Sequence, residues 1–156
     1  MLRYEISGRG VVEIENLVLD YNGTIAVDGK LVEGVEELLV KLKEHVNIYV
    51  LTADTYGTVR EELKDLNVEV LTFPSESAGI SKRKIVMELG GHKTLCIGNG
   101  YNDLPMFNEC ILSIAVIEGE GACGKLIANA DIVTRSILDA LKTVLSKNRV
   151  NATLRS

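Results

Sequence analysis

Short aliphatic runs of strand length alternate with stretches of helical period along nearly the whole chain, and this alternation constrains the fold more than any other feature. Residues 16–20 (N-L-V-L-D) read as a buried strand extending back towards Val11. Residues 35–42 carry apolar side chains at 35, 38, 39 and 42, the stripe of an amphipathic helix. Residues 47–52 (N-I-Y-V-L-T) predict the next strand, 56–66 a helix, and 68–73 a third strand. A helix over 82–89 is stopped by Gly90 and Gly91. Beyond it, 94–97 predicts a fourth strand, 102–108 a short helix, 111–116 a fifth strand, 124–128 a helix, 131–133 a short strand and 136–145 a last helix. Regular βα alternation implies a mostly parallel sheet with helices on both faces. Strands covered on both faces explain why the runs are continuously aliphatic. The expected fold is therefore α/β, a three-layer, doubly wound, mostly parallel sheet. The N-terminus departs from this. Residues 2–6 and 11–14 flank Ser7-Gly8-Arg9-Gly10, which reads as a β-hairpin turn rather than a phosphate loop, because no helix follows the glycines.

The length of 156 residues fits one domain over 1–156, with 1–15 as a β extension and 147–156 as a partly ordered tail that offers an oligomer contact. Apolar residues make up 46% and charged residues 25%, an ordinary globular balance. With 17 basic against 22 acidic residues and a net charge of −5, the chain lacks the basic footprint of a nucleic-acid binder. No apolar run approaches the roughly 20 residues of a membrane helix, and Arg3 and Glu5 interrupt any signal-peptide core, so a cytoplasmic protein is expected. Cys96, Cys110 and Cys123 show no metal-type spacing and read as reduced structural thiols.

Ligands in doubly wound sheets bind at the carboxyl ends of the strands. The polar residues there are Asp20-Tyr21-Asn22-Gly23-Thr24, Thr52-Ala53-Asp54, and Gly98-Asn99-Gly100-Tyr101-Asn102-Asp103. Together they suit an anion and a hard cation. A carboxylate ending a buried strand is costly unless paired or metal-bound, and Asp103 can share Mg²⁺ with Asp20. Gly23, Gly98 and Gly100 let backbone approach a bound group. Thr52 offers a hydroxyl, and Lys82 offers positive charge to phosphoryl oxygens. An aspartate attacking phosphorus forms an aspartyl-phosphate, which divides one hard step into two.

These segments resemble the motifs of the haloacid dehalogenase superfamily. Asp20-Tyr-Asn-Gly-Thr is similar to its first motif, Thr52 after an aliphatic strand to the second, and Lys82-Arg-Lys-Ile-Val-Met-Glu-Leu to the lysine helix of the third as seen in P-type ATPases. Gly98-Asn-Gly-Tyr-Asn-Asp-Leu-Pro-Met is similar to the fourth. The resemblance covers about residues 17–145 and is nearest to the soluble P-type ATPase-like group. It implies a Rossmann-like core with the first and fourth strands side by side. It also implies a Mg²⁺ held by Asp20, Asp103, the Asn22 carbonyl and Asn99, with phosphate held by Gly23, Thr52, Ala53, Lys82 and Asn102. The implied catalytic residues are Asp20, Asn22, Thr52 and Lys82. The implied activity is phosphomonoester phosphatase or phosphotransferase rather than ATPase.

Two departures shape the expected function. Asn22 stands where phosphatases of the superfamily carry an aspartate that protonates the leaving group and then activates water. Asparagine exchanges no proton, so hydrolysis should be slow or the phosphorylated Asp20 long-lived. Asn99 replaces an acid of the fourth motif, which weakens Mg²⁺ binding. Between Thr24 and Glu33 there is room for a short flap turning at Asp28-Gly29, and between Phe73 and Ser81 for a loop, so no cap domain is expected. An open site suits either a bulky phosphorylated substrate or closure by a neighbouring subunit, the latter implying a homo-oligomer.

The competing function is a catalytically impaired module that binds Mg²⁺ and phosphate, or accepts phosphate, as a regulator. A receiver-like domain would want its acceptor after the third strand, where Phe73-Pro74-Ser75 stands, and no Gly-x-Gly-x-x-Gly supports dinucleotide binding. Arg83 and Lys84 compete with Lys82, which is assigned by motif register. Asp54 reads as the cap of a helix beginning near Thr55, and Thr52 as a cap in addition to its site role. His45 and His92 read as surface residues, and Glu118 and Glu120 as a solvated loop.

Overall fold

The computed structural model describes residues 1–54 and 57–156. Thr55 and Tyr56, including the predicted helix start at 56, lie outside the described residues. Six strands form the central sheet: β3 (Asn16–Asp20), β6 (Asn47–Thr52), β7 (Glu69–Thr72), β8 (Thr94–Gly98), β9 (Leu112–Val116) and β10 (Ile132–Thr134). Their order is β10-β9-β8-β3-β6-β7, and every pairing is parallel. Chain order runs outward from β3 through β6 to β7, then crosses back to β8 on the other side of β3. The strand order therefore reverses between β3 and β8.

That reversal also sorts the helices. Crossovers between parallel strands are right-handed, so connections running in opposite directions fall on opposite faces. Along β3, period-2 alternation sends Leu17 and Leu19 into one core and Val18 into the other. The first core is covered by α1 (Val35–Lys43), α2 (Thr58–Leu63) and α6 (Ile137–Leu145). The second is covered by α3 (Ala78–Leu89), α4 (Leu104–Phe107) and α5 (Gly124–Asn129).

Several elements differ from expectation. The first strand does not extend back towards Val11. The N-terminal hairpin, β1 (Leu2–Ile6) with β2 (Gly10–Ile14), forms its own antiparallel sheet. Glu15 makes the break by turning its backbone to the main sheet: its N–H donates to Lys93 O and its carbonyl accepts from Asn47 N. Helix α3 begins at Ala78, four residues before the expected start, after a 3₁₀ turn at Ser75–Ser77. Gly79 hid that start, since glycine weakens helices. Here it permits close packing on α4, for a Cβ at this position would lie 3.3 Å from Pro105 Cγ.

The C-terminal residues were expected to be a partly ordered tail. They instead form α7 (Lys147–Leu154), capped by the Ser146 hydroxyl, with Val150 and Leu154 buried beside the N-terminal hairpin. Asn151 Oδ1 accepts from Ser7 N at 2.9 Å, Ser156 N donates to Ser7 O at 3.1 Å, and the buried Tyr4 hydroxyl donates to Val144 O at 2.6 Å. Val150 is fully buried. Val150→Ala should therefore cost about 2 kcal/mol, from two methyl groups at ~0.8 kcal/mol each plus a small cavity. Urea denaturation measures this, and an unchanged midpoint would deny α7 its packing role. Among the described residues, no helix is long and apolar enough to cross a membrane.

Candidate active site

The reversal in strand order splays the loops after β3 and β8 apart at their carboxyl ends, opening a crevice of about 280 Å³. Asp20, Asn22, Thr52, Ala53, Lys82 and Asn102 are among its lining residues. Asp20, the last residue of β3, points towards the α3 face as Val18 does.

Lys82 holds the crevice together. Its helix phase turns it inward, leaving it 2% exposed, and Nζ donates to Asp20 Oδ1 at 2.8 Å, Asp103 Oδ1 at 2.7 Å and Asn102 Oδ1 at 2.9 Å. Those three bonds use every ammonium hydrogen. Arg83 and Lys84 face outward, paired with Glu109 and Glu88, so of these three basic residues it is Lys82 that turns into the crevice. Asp103 is fully buried, and its Oδ2 accepts from the backbone N–H groups of Asn99 (3.1 Å) and Gly100 (3.0 Å).

Burial pushes the Asp20 carboxyl up from its ordinary range, and the nearby Asp103 carboxylate adds to this against the pull of Lys82 and Thr24. For Lys82, burial favours the neutral amine, but the two carboxylates outweigh it and hold the ammonium above its usual value. One buried cation thus faces two buried acids, a local excess of negative charge. The available donors (Asp20, Asp103, the Asn22 carbonyl and the Asn99 amide) are all oxygens, the set a hard divalent cation takes. Among the described residues no three His, Cys, Asp or Glu side chains group as metal ligands, so carbonyls, water or substrate oxygens would complete the shell.

Other expected residues fall around this centre. Asn99 Nδ2 donates to Gly121 O at 3.1 Å. Thr52 is buried, and its hydroxyl accepts from Asp54 N at 3.1 Å. Asp54 Oδ2 in turn accepts from Thr58 Oγ1 (2.6 Å) and Val59 N (3.1 Å), tying the crevice loop to α2. Gly23 is absent from the crevice lining. Its N–H donates to Ala26 O at 2.7 Å, and a Cβ there would meet Asn99 Nδ2 at 2.3 Å, so it packs behind the wall. Asn102 reaches Lys82.

The sequence assigns no individual role to four participants. Thr24 donates to Asp20 Oδ2 at 3.1 Å, with Asn99 Oδ1 at 3.2 Å as its alternative acceptor. It closes the first motif, which was the signal for it. Phe73, whose ring centre lies 5.8 Å from Lys82 Nζ, carries no local signal, and neither do Ser75 and Ala78, which precede the apolar periodicity of α3. Following the end of β3 in the chain is the expected flap, β4 (Ala26–Val27) and β5 (Lys30–Leu31). It turns at Asp28 and Gly29, both with positive φ, as a two-residue primed turn requires. Glu118 and Glu120 are structural rather than idle: Glu118 accepts from Ile137 N at the start of α6, and Glu120 from Asp28 N at the flap tip.

No family model matches the sequence. An uncharacterized protein of Methanocaldococcus jannaschii is 43% identical over 83 residues, covering 51% of this chain and 89% of that protein. A soluble P-type ATPase-like phosphatase of the same organism is 26% identical over 152 residues. That match covers 92% of this chain but 56% of the relative, so the chain spans just over half its length. Among solved structures, the cobalt-bound deoxy-D-mannose-octulosonate 8-phosphate phosphatase of Haemophilus influenzae superposes with a TM-score of 0.72 at 16% identity, covering 91% of both chains. A 3-deoxy-D-manno-octulosonate 8-phosphate phosphatase of Moraxella catarrhalis, in complex with magnesium and phosphate ions and the sugar acid, gives 0.67 at 17% identity over 89% and 90%. Among the described residues the flap and the Ser75–Ser77 turn stand where a cap would be inserted. The chain thus shares the fold of these phosphatases, and the four motifs that resemble those of the haloacid dehalogenase superfamily, in the form of its soluble P-type ATPase-like group, meet where the strand order reverses.

Proposed function

We propose that this protein is a divalent-cation-dependent phosphohydrolase, in which Asp20 accepts a phosphoryl group from a phosphorylated substrate and releases it slowly. The observation that carries this reading is the Lys82 ammonium bonded to Asp20 and Asp103 at once, beside an open crevice. Asp20, Asp103, the Asn22 carbonyl and Asn99 would hold the cation, and the superfamily resemblance and oxygen donors favour Mg²⁺. When bound, it would supply positive charge against the phosphoryl oxygens. Thr52, Ala53 and Lys82 would hold the phosphoryl group, with Asn102 supporting Lys82.

An Asp20 oxygen bonds to phosphorus as the bond to the leaving oxygen breaks. The leaving oxygen takes its proton from water, since the Asn22 amide is far too weak an acid to give one. Water then attacks phosphorus, phosphate leaves, and Asp20 returns as a carboxylate. Asn22 cannot accept the proton of the attacking water either, so both halves lack general acid–base help. Leaving groups that need no proton, such as acyl and aryl phosphates, should react faster than alkyl esters.

Asn22 and Asn99 also support a second reading, a phospho-accepting regulatory module that does not turn over. Incubating wild type and Asp20→Asn with acetyl phosphate and a panel of phosphomonoesters, with and without Mg²⁺, separates the two. Phosphate release dependent on Asp20 and Mg²⁺ supports the enzyme. A stable Asp20 adduct, seen by mass spectrometry without release, supports the module. Neither release nor adduct overturns both.

A further inference from the structure

Tyr21 stands between the two residues on which the proposed chemistry turns, Asp20 and Asn22. Strand alternation sends Asp20 to the crevice face and Tyr21 into the opposite core, where it is 2% exposed. Its hydroxyl donates to Glu62 Oε2 on α2, with Gly29 O at 3.3 Å as the other acceptor in reach. Burial and then the Glu62 carboxylate push the phenol up, so Tyr21 stays a neutral donor. The other Glu62 oxygen, Oε1, accepts from Leu31 N at 3.1 Å in β5 of the flap. One carboxylate thus ties the residue after Asp20 to the far strand of the flap.

The Tyr21 backbone is equally committed. Its N–H donates to Leu51 O at 3.1 Å, and its carbonyl accepts from Thr24 N (3.2 Å) and Ala26 N (3.0 Å). The turn held this way contains Asn22, Gly23 and Thr24, the last bonded to Asp20. At its other end α2 is anchored through Asp54 to Thr52 in the crevice wall.

We propose that Glu62 is a positioning residue: by clasping the Tyr21 hydroxyl and the Leu31 amide together, it sets where the flap, Asn22 and Thr24 stand over Asp20. This rests on the reading of Asp20 as phosphate acceptor. Misplacement of reacting groups by about 1 Å can cost on the order of 10²-fold in rate. Glu62 itself is on the exposed side of α2 and does not line the crevice.

The test compares wild type with Glu62→Ala, Glu62→Gln and Tyr21→Phe. With p-nitrophenyl phosphate and Mg²⁺, Glu62→Ala should lower kcat about tenfold or more while KM changes little. Glu62→Gln should recover part of the loss, because its amide oxygen still accepts one of the two bonds. Amide hydrogen exchange provides a readout independent of turnover. Exchange at Gly23 and Ala26, neither of which donates to Glu62, should quicken about tenfold in Glu62→Ala and Tyr21→Phe. Unchanged exchange at these two amides overturns the proposal, whether or not kcat falls. A wild type that neither forms an adduct nor releases phosphate defeats the phosphohydrolase reading instead, and exchange alone then decides the clasp.

Discussion

Asn22→Asp should raise steady-state phosphate release from an alkyl phosphomonoester by about 10²-fold or more, the usual contribution of a placed general acid–base. Asn22 is exposed and lines the crevice two residues beyond Asp20. A carboxyl there would reach the same leaving oxygen and, later, the same attacking water. The gain should be smallest for acyl and aryl phosphates, whose leaving groups depart without a proton, so the spread between substrate classes should narrow. The wild type should correspondingly accumulate phosphorylated Asp20 during turnover, and the variant should not. Phosphate release and intact-protein mass spectrometry over one time course measure both. Rapid turnover of alkyl esters by the wild type would refute this account of Asn22.

Lys82→Ala should abolish adduct formation, lowering phosphoryl transfer by about 10³-fold, and should also destabilise the fold. Among the described residues, Lys82 Nζ is the one ammonium paired with Asp20 and Asp103, whose side chains are 10% and 0% exposed. Removing it strands two buried carboxylates, a change that typically costs 3–5 kcal/mol; about 3 kcal/mol is expected at pH 8 in a chelator. The pH dependence has a definite sign. The Asp20 carboxyl is already raised in the folded protein, and losing Lys82 raises it further. The folded variant then binds a proton that the unfolded chain has released, so its stability falls as pH rises above the ordinary carboxylate range near 4. The deficit against wild type should be small at pH 4–5 and largest at pH 8. Denaturant midpoints for the two proteins across that range test it. A deficit that is flat or grows with acid would mean that the ammonium does not neutralise this pair.

Elements whose pattern is local were legible in the sequence. The strand Asn47–Thr52 and the carboxyl end of Asn16–Asp20 fall where their aliphatic runs predict, and the flap turns at Asp28 and Gly29 as that dipeptide predicts. Where local and tertiary preferences disagreed, tertiary packing won. Gly79 argued against helix, yet contact with Pro105 makes a small residue useful there. Glu15 continued an apparent strand, but its bonds to Lys93 and Asn47 break the chain between two sheets. The polar segment 147–156 offered little hydrophobic signal, yet Val150 and Leu154 suffice to seat α7 beside the N-terminal hairpin.

By itself, the sequence determined the layered α/β fold and the chemistry of the strand ends. Aliphatic periodicity and turn residues act between near neighbours, and so do the motif spacings that resemble the superfamily. That β3 lies beside β8 and that Lys82 rather than Arg83 or Lys84 serves the site are implied only through the resemblance, not by periodicity; the tertiary structure supplies both contacts, and it alone decided that Glu62 reaches Tyr21. Each of these joins residues tens of positions apart. Their meeting depends on strand order and on which side chains burial selects, and neither is encoded in any single stretch of chain.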